Sequence, residues 1–252
     1  MRKIKLVVEY DGTKYFGWQF QPNGITVQEV LEKILLRVTK EKTNVIGSGR
    51  TDSGVHAEGQ VAHFVTHSKM SGKEFLKALN SLLPRDIVVK SAEEVSGDFD
   101  ARRSATKKIY RYTILNQDHP SAFAYSRSMF VQQDLDVPAM KQAATHLIGR
   151  HDFTSFQGPN SETKSPVREI YRIDIERKDN YIILYFEGEG FLKYMVRNIV
   201  GTLVEVGKGR ISPGAMKDIL ESRNRKNAGP TAQPQGLCLV KVFYEDDSGV
   251  KE

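Results

Sequence analysis

Apolar residues recur at every second position in several segments, which is the period of a β-strand with one face in a core. The first such segment runs from Ile4 to Tyr10, where Lys5 and Glu9 fall between apolar positions. Alternation also predicts strands at 60–65 and 171–176, and the apolar run Ile87–Val89 predicts another. Further strands are predicted at 181–186 and 237–244. Both halves of the chain therefore contribute strands.

Apolar residues at helical spacing follow recognisable start signals. Thr26–Glu29 has the sequence of a capping box, and apolar positions within Val27–Val38 follow it. A second capping box, Ser71–Glu74, opens a helix that Pro84 stops. Asp136 and Pro138 start a further helix, and so does Ser212-Pro213. A long helix is predicted from about Phe191 to Val206, with an end at Gly207.

Strands and helices do not alternate strictly along the chain, so a parallel βαβ arrangement is not predicted. We expect an α+β protein of two similar units, each with an antiparallel sheet and flanking helices. The expected division is an N-terminal domain of residues 1–104, which carries the glycine-rich loop described below, and a C-terminal domain of residues 105–252.

Composition narrows the choice of partner and compartment. The 252 residues include 37 Lys and Arg against 31 Asp and Glu, a net charge of +6 that favours a polyanionic partner such as nucleic acid. The single cysteine, Cys238, rules out an internal disulfide and a multi-thiolate metal site. The N-terminal apolar run is too short for a signal peptide, and no run approaches about 18 apolar residues. We therefore expect a soluble cytoplasmic protein without a membrane segment.

The densest polar segment is the loop Gly47–Ala57, GSGRTDSGVHA. Its glycines permit tight turns and close approach of another molecule, and Arg50 and Asp52 stand two residues apart. The loop is therefore a candidate active site, although a surface turn with a local ion pair has the same composition. A phosphate-binding loop is excluded because no Gly-Lys-Ser/Thr follows the glycines. A serine-hydrolase elbow is excluded because Thr51 and Val55 replace its flanking glycines.

Two histidines raise the question of a metal site. His63 and His67 have the spacing of helical zinc ligands, but the surrounding pattern predicts a strand. At ~3.3 Å per residue their backbones would lie ~13 Å apart, too far to chelate one ion. We interpret both as ordinary strand residues and expect no metal site.

The segment Phe99–Leu115 interleaves cations and aromatic residues. A strand here would place Lys108, Tyr110 and Tyr112 on one face. Cations can meet phosphates and rings can stack on bases, so the pattern suits nucleic acid. An edge strand with a solvated basic face would give the same pattern.

The predicted helix Gly190–Val206 is mostly apolar but carries Lys193 and Arg197 on one stripe. A cation on an otherwise buried helix is costly unless it is paired. Asp52 is an attractive partner for Arg197, whereas the alternatives are solvent or another carboxylate.

Seven motifs occur in order along nearly the whole chain, and GRTDSGVHA at Gly49–Ala57 is the most specific of them. Together they resemble the tRNA pseudouridine synthase A family. The other six are YDGTKYFGWQ (Tyr10–Gln19), FDARRSAT (Phe99–Thr106), YRY (Tyr110–Tyr112), GRHDFTSF (Gly149–Phe156), GFLKYMVRNIVG (Gly190–Gly201) and PTAQPQGLCL (Pro230–Leu239).

The resemblance implies a role for five residues of this sequence. Asp52 occupies the position of the essential catalytic aspartate, and Arg50 that of a loop arginine associated with RNA handling and base extrusion. Tyr110 matches the tyrosine that lies against the target base. Arg197 matches the basic residue that pairs with the aspartate, and Leu237 matches the apolar residue that lines the pocket.

The resemblance also implies a fold, a reaction and partners. The fold would be two α+β units that form a central cleft. The reaction would be the isomerisation of uridine to pseudouridine at positions 38, 39 and 40 in the anticodon stem-loop of tRNA. No cofactor is expected, because this reaction exchanges neither electrons nor phosphate. The family further implies a homodimer whose two subunits contact the tRNA.

Two positions depart from the family pattern, since Asp100 stands where a histidine is common and residues 107–109 replace a more arginine-rich run. Both departures concern RNA affinity rather than reaction type. Two other classes of function remain open: a non-catalytic RNA-binding or RNA-folding protein on the same fold, and a hydrolase that uses Ser53. RNA binding without pseudouridine formation would favour the first. Labelling of Ser53 by a serine-directed probe would favour the second.

Overall fold

The computed structural model describes residues 1–161, 163 and 165–245, which form two compact units. The first unit consists of residues 1–106 together with the described residues after Cys238, and the second consists of residues 107–238. Antiparallel strands and helices occur in both units, which confirms the α+β class. The division into domains 1–104 and 105–252 stays a prediction, and the observed units differ from it in that the closing strand belongs mainly to the first.

The first unit is built around a sheet whose central strands pair antiparallel. Its elements are β1 (Arg2–Tyr10), α1 (Val27–Thr39), β2 (Ile46–Gly47), β3 (His56–Thr66), α2 (Gly72–Leu82), β4 (Ile87–Val95) and the last strand β10 (Leu237–Phe243), which enters this unit at Leu239. The sheet order is β4-β1-β3-β10, with β2 added to β3. The register places Ile4 opposite Phe64 and Leu6 opposite Ala62, so the buried apolar positions of β1 and β3 coincide.

The two helices of the first unit begin where the capping sequences predict. Thr26 caps α1 by accepting a hydrogen bond from the backbone of Glu29 at 3.3 Å. The box at the start of α2 is reciprocal, since Glu74 N donates to Ser71 Oγ at 3.3 Å and Ser71 N donates to Glu74 Oε2 at 2.7 Å. Both helices bury an apolar face: Val27, Leu31, Ile34, Leu35, Phe75 and Leu79.

In the second unit the strands pair in the order β5-β9-β8-β7, and β6 pairs parallel to β5. Its strands are β5 (Lys107–Asn116), β6 (Met129–Val131), β7 (Gly149–Asp152), β8 (Val167–Lys178) and β9 (Tyr181–Gly188). Its helices are α3 (Val137–Thr145), α4 (Met195–Gly207) and α5 (Ala215–Glu221). None of the helices within the described residues is long and apolar enough to span a bilayer.

The start of α4 differs from the prediction. We expected the helix from about Phe191, but it begins at Met195 because Tyr194 adopts a left-handed backbone conformation with φ 61°. This conformation cannot continue a right-handed helix. The preceding residue is held from outside, since Gly158 N donates to the carbonyl of Lys193 at 2.8 Å. Lys193 therefore precedes the helix and does not share a helical stripe with Arg197.

The α2 cap gives a direct test of local stability. We expect Ser71→Ala to lower the free energy of unfolding by about 1 kcal/mol, because it removes the N-cap acceptor. The matched control is Ser81→Ala, since Ser81 Oγ donates to the Ala78 carbonyl inside the same helix. Urea denaturation measures both variants, and equal losses would show that the cap is not the source of the stabilisation.

Candidate active site

The glycine-rich loop lies between β2 and β3, and its first half is fixed by β3. Ser48 is fully buried, its backbone N donates to the Val61 carbonyl at 2.7 Å, and its hydroxyl donates to Gln60 Oε1 at 2.7 Å. Gln60 Nε2 in turn donates to the carbonyl of Gly49 at 2.9 Å. The loop backbone is therefore anchored up to the residue before Arg50, whose own side chain is exposed.

The second half of the loop is held by the backbone of residues 10–18, which belong to the YDGTKYFGWQ motif. Trp18 N donates to the Thr51 carbonyl at 3.1 Å, immediately before Asp52. Gly54 N donates to the Tyr15 carbonyl at 3.3 Å, two residues after Asp52. Hydrogen bonds thus fix the backbone on both sides of the half-buried Asp52.

Two glycines let these two backbones approach more closely than any side chain would allow. A Cβ on Gly12 would overlap the Val55 carbonyl, and a Cβ on Gly17 would lie 2.5 Å from the Thr51 carbonyl. Gly17 also has φ 87°, a conformation that strains other residues. The sequence alone did not predict this role of Gly12 and Gly17. The paired glycines of the motif were the available signal.

Ser53 and His56 attach the loop to residues 10–18. Ser53 Oγ donates to the Tyr15 carbonyl at 3.2 Å. His56 is buried, and its Nδ1 accepts a hydrogen bond from Gly12 N at 3.0 Å. These contacts give both residues a structural role, and Asp52 is the carboxylate that the loop presents.

The geometry around His63 agrees with a structural residue. His63 lies in β3, is buried, and accepts a hydrogen bond at Nδ1 from Ala101 N at 3.0 Å. Burial lowers its pKa and so favours the neutral ring. His67 lies just past the end of β3. Among the described residues, no group of three His, Cys, Asp or Glu side chains is placed to hold a metal ion.

Tyr110 lies on the buried face of β5 in the second unit. Its ring meets Phe191 edge-on, with ring centres 5.2 Å apart and an interplanar angle of 82°. The side chain is 8% exposed. The alternation predicted for this strand is observed, since Tyr110, Tyr112 and Ile114 are all buried.

Arg197 lies in the first turn of α4, where it is partly buried. Its Nε donates to the Ala232 carbonyl at 2.8 Å, and Ala232 N donates to the Arg197 carbonyl at 3.0 Å. The guanidinium carbon is 4.9 Å from the ring centre of Tyr194. A carbonyl and an aromatic ring of the same unit thus offset part of the cost of placing a cation on this apolar helix.

The neighbouring Asn198 is fully buried and connects three of the sequence motifs. Its Nδ2 donates to the Phe156 carbonyl at 2.8 Å. Its Oδ1 accepts from Thr231 Oγ1 at 2.6 Å and from the Arg225 guanidinium at 3.1 Å. Asn198 was not among the residues predicted from the sequence. The available signal was a polar amide inside an apolar helix, which must be hydrogen-bonded when buried.

Leu237 is positioned by the chain segment that precedes it. A Cβ on Gly201 in α4 would overlap the Pro230 carbonyl, so this segment lies directly on the helix. A Cβ on Gly236 would come within 2.6 Å of the Tyr112 ring. Leu237 follows at once and is 5% exposed.

Tyr112 lies close to Arg197 and to the residue before Leu237 in the second unit. It follows Tyr110 on the same strand face, and its ring packs against the residue before Leu237. Burial raises the pKa of its phenol, and the nearby charge of Arg197 opposes this rise. Its hydroxyl donates to the Gln233 carbonyl at 2.7 Å.

The five predicted site residues thus fall into two sets. Arg50 and Asp52 share one loop of the first unit, whereas Tyr110, Arg197 and Leu237 belong to the second unit. The first set offers a carboxylate and an exposed cation on a fixed backbone. The second offers an aromatic ring, a cation and an apolar side chain. A carboxylate can serve in acid–base catalysis, and an aromatic ring and an apolar side chain can hold a base that has left its stack.

Comparison with known proteins agrees with this chemistry. Residues 6–102 and 143–245 match the family described as tRNA pseudouridine synthase, so the chain belongs to this family. The resemblance inferred from the seven motifs is therefore confirmed.

Individual relatives cover almost the whole chain. The chain is 50% identical to tRNA pseudouridine synthase A 2 of Clostridium perfringens and 48% identical to tRNA pseudouridine synthase A of Acetivibrio thermocellus. Each match covers 97% of this chain and 100% of the relative. Among solved structures, it is similar to a chain in the crystal structure of a Cbf5-Nop10-Gar1 complex, with a TM-score of 0.42 and 14% identity. That likeness covers 96% of this chain and 51% of the other.

The close backbone packing at Gly12 predicts a coupled loss of stability and activity. We expect Gly12→Ala to lower the free energy of unfolding by about 1–3 kcal/mol, because the added methyl overlaps the Val55 carbonyl and displaces the Asp52 loop. Gly97→Ala is the control, since nothing lies within 4 Å of a Cβ there. Thermal denaturation and turnover measure both effects. Equal behaviour of the two variants would contradict the packing role of Gly12.

Proposed function

We propose that this protein converts uridine to pseudouridine at positions 38, 39 and 40 in the anticodon stem-loop of tRNA, with Asp52 as the catalytic residue. Membership in the tRNA pseudouridine synthase family carries this proposal, together with relatives about 50% identical over 97% of the chain that are named tRNA pseudouridine synthase A. The intact GRTDSGVHA loop and its fixed backbone support the role of Asp52.

The reaction is an isomerisation in which atoms and electrons balance within the substrate. The bond between N1 of uracil and C1′ of ribose breaks, the base turns, and C5 bonds to C1′. The proton on C5 is lost and N1 gains a proton. The protein therefore has to supply an acid–base group, a means of stabilising the sugar or base during the turn, and a pocket that holds the base.

Asp52 suits this chemistry because a carboxylate can act as a nucleophile or stabilise a developing positive charge on the sugar. Addition to the base, attack on the sugar and assistance of glycal formation all require an ionised carboxylate at a fixed position. The hydrogen bonds on both sides of Asp52 fix the backbone that carries this carboxylate. We propose that Arg197 pairs with Asp52 and keeps it ionised against the desolvation of a closed pocket.

The remaining site residues would handle the extruded base. A uridine in a stem-loop has to leave its stack before its C1′ can react. Arg50 is exposed and follows the anchored Gly49, so its guanidinium can fill the gap that the base leaves. Tyr110, whose ring is oriented by Phe191, would lie against the uracil, and Leu237 would line the pocket on its apolar side.

We further propose that the protein acts in the cytoplasm as a homodimer whose two subunits contact one tRNA. The net charge of +6 supports binding of a polyanion, and the family resemblance supports the dimer. Light scattering of the purified protein measures its mass with and without tRNA. A monomer under both conditions would contradict the dimer.

Asp52→Asn tests the catalytic assignment. We expect the variant to fold and bind tRNA like the wild type but to form no pseudouridine, because the amide has a similar shape and lacks the carboxylate. Asp134→Asn is the control, since Asp134 is exposed outside the loop. Single-turnover assays and tRNA binding measure the two properties separately. Substantial residual turnover by Asp52→Asn would remove Asp52 from the mechanism.

Two substitutions at Tyr110 separate stacking from proton transfer. If the hydroxyl moves the C5 proton, as we expect, Tyr110→Phe should lower the single-turnover rate by about 100-fold or more with near-normal binding. If the ring only stacks, Tyr110→Phe should keep most activity and Tyr110→Ala should lose ~1–3 kcal/mol of binding. Tyr171→Phe is the control, because Tyr171 is 43% exposed on β8. A wild-type rate for Tyr110→Phe would eliminate the proton-transfer role.

A further inference from the structure

Next to the Asp52 loop, the first unit contains a recess of about 230 Å³ that none of the roles above uses as a whole. Its lining combines two arginines, Arg50 and Arg102, with three amide side chains, Gln19, Gln28 and Asn44. In the part of the chain that the structure describes, no carboxylate lines it. Trp18, Val45 and Ile46 complete the side-chain lining. A small recess with two cations, amides and apolar groups suits an anionic occupant that also carries a ring and hydrogen-bonding groups.

Two of the three amides of the recess, Gln28 and Asn44, are held in place by hydrogen bonds. Gln28 Oε1 accepts from Phe20 N at 3.0 Å. Gln28 Nε2 donates to Glu32 Oε1 at 2.9 Å and to Asn44 Oδ1 at 3.3 Å. This arrangement leaves Asn44 Nδ2 as a donor without a partner among the described residues. Glu32 Oε1 also accepts from Val45 N at 2.9 Å, so the lining does not have to reorganise to bind.

An exposed aromatic ring adjoins the recess. Phe20 is 58% exposed, directly follows Gln19, and is tied to Gln28 through its backbone. Aromatic rings beside cations and amides form the combination that binds unpaired nucleotides, since rings stack on bases, cations contact phosphates and amides contact base edges.

The position of the recess relates it to the reacting uridine. Arg50 lines the recess, and Asp52 lies two residues further along the loop. Two residues span at most about 7 Å. The recess therefore begins close to a uridine placed at Asp52, where a neighbouring nucleotide of the same strand can reach it.

We propose that this recess binds one unpaired nucleotide of the tRNA that lies within two positions of the target uridine. Arg102 contacts its phosphate, Asn44 donates to its base edge, and Phe20 stacks on the base. The proposal rests on the proposed function, because it adds a second nucleotide subsite to the same substrate. Such a subsite fixes the register of the RNA strand on the enzyme and so influences which of several neighbouring uridines reacts.

The chain offers a matched pair of arginines for the test. Arg102 and Arg103 are both exposed, and their backbone amides donate to Asp100 Oδ1 at 2.9 and 2.8 Å. Arg102 lines the recess, whereas Arg103 is not among the described lining residues. Alanine at either position removes one positive charge, so a difference between the two variants reports on the recess and not on net charge.

The experiment measures single-turnover pseudouridine formation on full-length tRNA transcripts. Four further transcripts each carry one abasic nucleotide, one or two positions before or after the target uridine. We expect one abasic position to lower the wild-type rate at subsaturating enzyme by about tenfold. Phe20→Ala and Asn44→Ala should each lower the rate on intact tRNA by about five- to tenfold. On the transcript that lacks the base at the sensitive position, each variant should react at the same rate as the wild type, because the contact is already lost.

Arg102→Ala should weaken binding and reduce its salt dependence by about one phosphate contact, with Arg103→Ala within about twofold of wild type.

If the substitution and the removal of the base lower the rate additively at all four positions, the subsite is overturned. Equal effects of Arg102→Ala and Arg103→Ala would also overturn it. Each variant must keep the wild-type melting temperature. If Asn44→Ala does not, Phe20→Leu at the exposed position replaces it, because leucine stays apolar but cannot stack. If the wild-type protein forms no pseudouridine on intact tRNA, the proposed function is contradicted. Failure of the proposed function is therefore distinguishable from failure of the subsite.

Discussion

The position of Asp52 depends on direct packing between two backbones, that of residues 10–18 and that of the loop. The hydrogen bonds from Trp18 N to the Thr51 carbonyl and from Gly54 N to the Tyr15 carbonyl lie on either side of the aspartate. Gly12 and Gly17 make the approach possible because neither has a side chain to separate the segments. Backbone groups have no rotamers to populate, so this contact fixes the backbone position from which Asp52 presents its carboxylate.

The second unit uses buried polar contacts for a similar purpose. Asn198 joins α4 to the segments that contain Phe156 and Thr231, and Thr202 Oγ1 accepts from Gly229 N at 2.9 Å. Each of these groups is buried or partly buried, where an unmade hydrogen bond costs about 1–3 kcal/mol. The contacts therefore fix the path of the chain from 229 to 236, and with it Leu237.

Local signals in the sequence predicted much of this structure, and tertiary contacts account for what they missed. The caps at Thr26 and Ser71 act within one helical turn, so their residues alone locate the starts of α1 and α2. The start of α4 depends on a contact from Gly158 to the residue before Tyr194, 35 positions away, which no periodicity records. The loop around Asp52 was predictable because its chemistry lies in adjacent residues. Its support by residues 10–18 was not, because glycines reveal close packing only when the opposing backbone is known.

Mapping of pseudouridine in tRNA from cells with and without this protein tests the central claim most directly. We predict that pseudouridine at positions 38, 39 and 40 disappears when the protein is absent and returns when it is expressed again, whereas pseudouridines elsewhere in the same tRNAs stay unchanged. Unchanged pseudouridine at all three positions in cells that lack the protein would contradict the claim.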